Sequence, residues 1–198
     1  MFYRPEVGHG LPHNPLNAIV APRPIGWIST RGAQGDNLSP YSFFNLTAYV
    51  PPQVMFSSTG TKPDRPGTKD SVAQIAESRV FCVNIADASL AQMLNASSAP
   101  LPAGTSEFAA CGIETAECET IDCPRVAGAA AALECRMSRI VRLAGAANIM
   151  VLGIVTGIHL REDCLQDGRF RPPTGWLSRL GYLDFAATTE TFEMERPK

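Results

Sequence analysis

The chain has 198 residues and a mass of 21.3 kDa, enough to bury a sizeable core. Hydrophobic residues make up 45% and charged residues 18%, the composition of a globular chain and not of a disordered one. A net charge of −2 and a pI near 5.9 give no reason to expect nucleic acid as a partner, because that partner calls for a basic stripe.

Residues 1–16, rich in Pro, Gly, His and Asn, predict an irregular arm, and 17–198 a single domain. The arm lacks a charged start followed by an apolar run, so no signal peptide is expected. No apolar run approaches the roughly 20 residues that span a bilayer. A cytoplasmic protein with no membrane partner is the expectation. Residues 17–30 are apolar and β-branched, 31–36 hold two glycines suited to a turn, and 37–50 read as a second strand, giving a hairpin. Pro51-Pro52 breaks it, 53–59 form a third strand, and 60–67 a proline-bearing loop. At 68–79 the period changes, with Val72, Ile75 and Ala76 on one helical face and Thr68 or Asp70 as the cap. The segment 80–85 is a buried strand. Asp87 then caps a second helix that buries Leu90, Met93 and Leu94.

Residues 95–125 are a long excursion with one helical turn near 107–110. Over 132–143, Leu133, Cys135, Met137, Val141 and Leu143 alternate with Glu134, Arg136, Ser138 and Arg142, an antiparallel strand with one wet face. A more apolar strand at 148–160 and a turn at 163–169 follow. Many strands with short helices between them predict a mainly β (α+β) fold, a closed or partly closed barrel.

The usual catalytic sets are missing. No G-x-S-x-G, H-E-x-x-H, Walker-type or G-x-G-x-x-G motif is present, and two of the three histidines lie in the arm. The six cysteines form no C-x-x-C pair and have no nearby histidine set, so no metal site is expected and they read as small buried hydrophobes. Scarce acid–base and nucleophilic groups fit a protein whose chemistry is carried by a bound redox cofactor.

Several segments suit a phosphate and a polar ring. Lys69, Asp70 and Ser71 open a helix, where free backbone amides and the positive dipole end favour an anion; simple capping is the competing reading. Arg23 sits between two prolines, with Ser29 and Thr30 ending the same strand. Asn37, Ser39, Tyr41 and Ser42 surround a proline that marks an irregular strand edge. Ser57 and Ser58, and Asn95 with Ser97, are weaker candidates.

In order along the chain stand PRPIGWIST (22–30), NLSPYSFFN (37–45), PPQVMFSS (51–58), KDSVAQI (69–75), FCVNI (81–85), NASSAPLP (95–102), ALEC (132–135), DGRF (167–170) and SRLG (178–181). This pattern resembles the flavin reductase-like, FMN-binding split-barrel family. The resemblance implies a split-barrel homodimer with FMN at the subunit interface. It places Arg23, Ser29, Thr30, Lys69, Asp70 and Ser71 at the phosphate and ribityl end. Asn37, Ser39, Tyr41, Ser42, Ser57 and Ser58 would surround the ring. Asn95, Ser97 and Arg179 would close the pocket. His159 falls where the family often has a histidine on the nicotinamide side, and a core or strand-edge histidine is the competing reading. Where members often read R-L-G-G before an aromatic, this chain has Arg179, Leu180, Gly181 and Tyr182.

The activity implied is an FMN-binding oxidoreductase that takes hydride from NADH or NADPH and passes electrons to a flavin or a partner such as a monooxygenase. No catalytic side chain is expected. The rival readings are a non-enzymatic FMN electron carrier, an oxidase of the pyridoxamine phosphate oxidase-like type, and a module for another flat cofactor.

Overall fold

The computed structural model describes residues 1–62, 67–102 and 104–197, so the expected loop at 60–67 lies partly outside the described residues. The arm ends in a short helix, α1 (Leu16–Ile19), followed by β1 (Arg23–Pro24) and β2 (Gly26–Gly32). Ala33 and Gln34 turn the chain into β3 (Gly35–Tyr41), the first predicted hairpin. Gly35 takes φ 99° at that turn, a left-handed conformation open to glycine at no steric cost. The single strand expected at 37–50 is two strands: Ser42-Phe43 interrupts it, and β4 (Phe44–Tyr49) pairs with β5 (Pro52–Ser58).

Helix α2 (Asp70–Ser78) holds Val72 and Ile75 buried on one face, as the period predicts. Its N-cap is Lys69, whose side chain makes no capping bond, in place of the expected Thr68 or Asp70. Strand β6 (Val80–Ile85) is followed by a 3-10 turn that Asp87 caps, its side chain accepting the Ser89 amide, and then by α3 (Ala91–Ala96). Met93, expected inside, is exposed. Within the 95–125 excursion lie α4 (Glu107–Ala110) and a small hairpin absent from the sequence reading, β7 (Thr115–Glu117) with β8 (Pro124–Val126). The long strands β9 (Ala131–Arg142) and β10 (Ile149–Leu160) come next. The short pair β11 (Leu165–Gln166) and β12 (Arg169–Phe170) precedes the closing hairpin of β13 (Trp176–Gly181) and β14 (Asp184–Thr188).

Seven strands make one antiparallel sheet in the order β3-β2-β6-β9-β10-β5-β4. Its two edges, β3 and β4, are separated in sequence only by Ser42 and Phe43. Laid flat, edges seven strands apart would stand about 29 Å from each other. Three Cα steps reach at most about 11 Å. The sheet therefore has to curl until its edges meet, which closes the barrel.

Alternation sends side chains to two sides of this wall. Ile28, Phe56, Phe81, Val83 and Val151 point to the interior, where Val72 and Ile75 of α2 join them. The Phe56 ring sits 4.7 Å from that of Tyr41 and 5.7 Å from that of Phe81. On the outer side Trp27 packs with Leu38, Leu94, Phe108 and Leu177, and its Nε1 donates to Ser97 Oγ at 2.9 Å. Strand β9 keeps Cys135 and Met137 inward as its pattern predicts, but Glu134, expected on a wet face, is fully buried. The β7–β8 connection covers it. Among the described residues no helix is long and apolar enough to cross a membrane.

Gly153 marks the tightest packing of β10 on the core. A Cβ there would stand 2.5 Å from the Phe81 ring and 3.1 Å from the Cys135 Cβ. Gly153→Ala should lower stability by about 1–3 kcal/mol, the usual cost of overpacking, read as a lower urea midpoint at an unchanged slope.

Candidate functional site

Two clefts flank the Ser42–Phe43 corner. The first, about 250 Å³, is lined among others by Arg23, Ser42, Phe43, Asn95, Arg179, Tyr182 and Phe185. The second, also about 250 Å³, is lined by Ser58, Thr68, Lys69, Arg142, Ala146 and Ile149, with smaller groups between them. The Ser57 amide donates to the Phe43 carbonyl at 2.8 Å. This bond sets Phe43, on the first cleft, beside the strand whose last residue, Ser58, lines the second.

Aromatic walls and fixed cations define the first cleft. Arg23 is buried, and its Nη1 donates to the carbonyls of Asn17, Val20 and Leu180, tying α1 to β13. Gly181 makes this approach possible, since a Cβ there would meet Ala18 Cα at 2.8 Å. Among the described residues the buried Arg23 Nε has no partner, and the guanidinium carbon lies 5.8 Å from the centre of the Phe43 ring. Burial and the neighbouring Arg179 both lower the pKa of Arg23. Arg179 stacks on Phe185 at 4.4 Å and donates to the Tyr182 carbonyl. His13 of the arm packs against Tyr182 at 5.6 Å. No carboxylate lines this cleft among the described residues.

The second cleft is lined by small residues and two cations. Lys69 Nζ stands 5.8 Å from the centre of the Tyr41 ring, and burial followed by the nearby Lys62 lowers its pKa. The Tyr41 hydroxyl is buried without a hydrogen bond of normal geometry. Burial pushes its pKa up to about 12, against a smaller opposing pull from the nearby Ser71 and Ser58 hydroxyls. Asn37 Nδ2 donates to Ser71 Oγ at 2.9 Å behind the same wall. Asp70 pairs with Lys62 and lines an adjoining depression with Thr68 and Gln74, where Thr30 Oγ1 donates to Gln74 Oε1 at 2.5 Å. Ser39 and Ser57 are half-buried on β3 and β5.

The set named from sequence thus divides. Arg23, Ser42, Asn95 and Arg179 meet in the first cleft, and Ser58 and Lys69 in the second. Three others are engaged elsewhere. Ser29 Oγ donates to the Pro124 carbonyl at 2.6 Å, and Ser97 is held by Trp27 and the Leu94 carbonyl. His159 bonds Glu134 at 2.5 Å, ten residues along β10 from Ile149 in the second cleft, roughly 30 Å at strand rise. Phe43, Phe185 and Arg142 are lining residues that sequence reasoning missed. Phe43 lies inside the NLSPYSFFN motif, which is the one signal that could have found it.

Against this geometry, known proteins agree on one family. The profile of the flavin reductase like domain matches residues 20–176. An uncharacterized protein of Deinococcus radiodurans is 40% identical over 192 residues, 91% of this chain and 82% of that protein. The chain belongs to the flavin reductase-like family. Nitrilotriacetate monooxygenase component B of Bacillus cereus superposes with a TM-score of 0.83 at 28% identity, covering 94% of this chain and all of that one (100%). The 2-nitrobenzoate 2-nitroreductase of Pseudomonas fluorescens gives 0.79 at 26%, covering 92% and 88%. A split-barrel domain protein of Shewanella frigidimarina, 17% identical with a TM-score of 0.80 over 92% of this chain and 90% of that one, shares the fold.

Glu134 holds the β7–β8 connection through its carboxylate, which accepts the amides of Glu119 at 2.7 Å and Thr120 at 2.6 Å besides His159. Burial alone would raise its pKa, but bonds from Thr120, Glu119 and His159 outweigh that and hold it at about 2. The folded pKa lies below the unfolded one, so the unfolded chain binds more protons in acid. The contribution is present above the unfolded value of about 4.3 and is lost as pH falls through about 2. Glu134→Gln should flatten the stability–pH slope in that window and cost about 1–3 kcal/mol at neutral pH, read from urea unfolding between pH 2 and 7.

Proposed function

We propose that the chain is an FMN-binding oxidoreductase that takes electrons from NADH or NADPH and delivers them to a flavin or to a partner protein. The observation that carries this reading is the pairing of two unlike clefts across one corner. One sets Lys69 and Arg142 among small groups, as a phosphate requires; the other sets Arg23, Arg179 and several amide and hydroxyl side chains against aromatic rings, as a flat ring with a polar edge requires. Two buried polar atoms near them, Arg23 Nε and Tyr41 Oη, have no hydrogen bond of normal geometry among the described residues. When bound, FMN supplies a ring that accepts hydride from a nicotinamide and passes on the electrons singly or in pairs.

The chain's own residues bind and orient. Lys69 and Arg142 face the phosphate, helped by the start of α2, whose N-cap side chain makes no capping bond. A phosphate dianion would offset the burial and the Lys62 charge that disfavour the Lys69 ammonium. Ser42 and Asn95 offer hydrogen bonds to the polar edge of the ring. Phe43, Tyr182 and Phe185 are exposed rings on this cleft that a bound flavin would cover. Arg23 acts from behind, fixing α1 and β13 as the wall that carries Arg179.

A homodimer belongs to this proposal. On β10, Ile154, Ile158 and Leu160 are exposed apolar side chains, and Leu46, Tyr49 and Val50 are exposed at the barrel edge. The likeness to a monooxygenase component supports an oxygenase as the partner that consumes reduced flavin.

The test is NADH and NADPH oxidation followed while FMN, FAD or riboflavin is titrated in. Turnover is expected with at least one pair, and Lys69→Ala should raise half-saturating FMN about 10–100-fold, the loss of one charge-assisted bond of about 1.5–3 kcal/mol. Riboflavin, which has no phosphate, should be unaffected. No turnover with any pair would remove the reductase reading. An equal shift for riboflavin would remove the phosphate from the Lys69 cleft.

A further inference from the structure

Behind β2, on the side away from the two clefts, three thiols converge. Cys82 stands opposite Ser29 in the β2–β6 register and is fully buried. Cys123 is fully buried beside it, its Sγ donating to the Ser29 carbonyl at 3.3 Å. Both belong to one apolar cluster with Val80, Ile121 and Ala132, and Cys118 packs against it while remaining half-exposed. All six cysteines of the chain are free thiols.

Cys118 and Cys123 are the two ends of the β7–β8 turn. The ladder pairs Glu117 with Pro124, so the next pair is Cys118 with Cys123, and the Cys118 amide donates to the Cys123 carbonyl at 3.1 Å. Residues opposed in this way have Cα atoms about 5.5 Å apart, inside the roughly 4.4–6.8 Å that a disulfide spans. The neighbouring Cys123 and Cys82 thiols pull the Cys118 pKa down, and the Cys118 sulfur and burial push Cys123 up. The three thiols thus contain one accessible nucleophile and two protonated neighbours.

We propose that Cys118 and Cys123 form a peroxide-reactive dithiol, with Cys118 the attacking sulfur and Cys123 the resolving one. The Cys118 thiolate attacks the O–O bond of a hydroperoxide. An S–O bond forms, the O–O bond breaks, and with hydrogen peroxide the leaving oxygen takes a proton and departs as water. The sulfur is oxidised by two electrons and the peroxide reduced by the same two. Cys123 then gives up its proton and attacks the Cys118 sulfur; the S–S bond forms, the S–O bond breaks, and a second water leaves. The sum is two thiols and one hydrogen peroxide giving one disulfide and two waters.

Cys123 is the resolving partner, and Cys82 is not, because of what holds each backbone. Cys82 lies in β6, bonded on both sides by β2 and β9, so its position is fixed. Cys123 stands directly across the β7–β8 ladder from Cys118, so the bond can form with the Glu119–Asp122 turn left where Glu134 holds it. The proposal does not depend on the flavin reading, since the oxidant is supplied from solution.

Digestion after glutamate separates the thiols, with Cys118 in a dipeptide ending at Glu119, Cys123 in 120–134, Cys82 in 78–107 and Cys111 in 108–114. The full-length protein, treated with one equivalent of hydrogen peroxide and alkylated, should yield the Cys118 dipeptide linked to peptide 120–134. The link should vanish with dithiothreitol. At pH 7 Cys118 should alkylate about tenfold faster than the half-buried Cys111, whose thiol burial pushes up. Cys118→Ser should abolish the link, and Cys123→Ala should leave a sulfenic acid on Cys118 that dimedone traps. A link from Cys118 to Cys82 would overturn the proposal. So would Cys118 carried straight to sulfinic acid without a link, or alkylation no faster than at Cys111.

Discussion

The two-residue link between β3 and β4 governs the rest of the molecule. Those strands are the opposite edges of a seven-stranded sheet, and Ser42-Phe43 is all that joins them. A flat sheet cannot meet that condition, so the wall curls and its inner face becomes a closed apolar interior filled by Phe56, Phe81 and the Val72–Ile75 face of α2. Closure also removes most of the unpaired edge that open sheets must protect. At the seam itself the ladder is interrupted, and there the backbone and the Phe43 side chain are left to face a cleft, with the Tyr41 hydroxyl buried beneath. The place where the barrel is weakest in hydrogen bonds is thus the place available for a ligand.

Polarity divides around the seam in a way that follows from the elements meeting there. β5 ends, α2 begins and the β9–β10 connection passes on one side, which brings Ser58, Lys69 and Arg142 together. On the other side α1, α3 and the β13–β14 hairpin bring side chains with rings and long stems. Arg23 ties that second group together by donating to three carbonyls from two distant segments. Its pKa falls because it is buried beside another cation, which marks this wall as short of negative charge. The opposite face of β2 has a separate character, with thiols and the Glu134–His159 pair under the β7–β8 hairpin.

The parts of the fold that were legible in the sequence rest on local periodicity. Val72 and Ile75 at helical spacing mark α2, and the alternation in 132–143 marks β9. The corner was not legible, because 37–50 is β-prone throughout and nothing local says that it leaves one sheet edge for the other. Glu134 was misread for a related reason: a charge on an alternating strand looks wet unless the connection that covers it is known, and strands of three residues such as β7 are too short to register. Site residues found from motifs, such as Arg23 and Lys69, sit in contiguous stretches. Arg142 and Phe185 escaped because they reach the clefts from strands far away in the chain.

The central claim is that one flavin nucleotide spans the seam, and a crystal structure of the protein with FMN tests it most directly. The account expects the phosphate against Lys69, Ser58 and Arg142, and the ring beside Ser42, Asn95 and Arg179. A phosphate held instead by Arg23 and Arg179, or a flavin bound away from the Ser42–Phe43 corner, would contradict it.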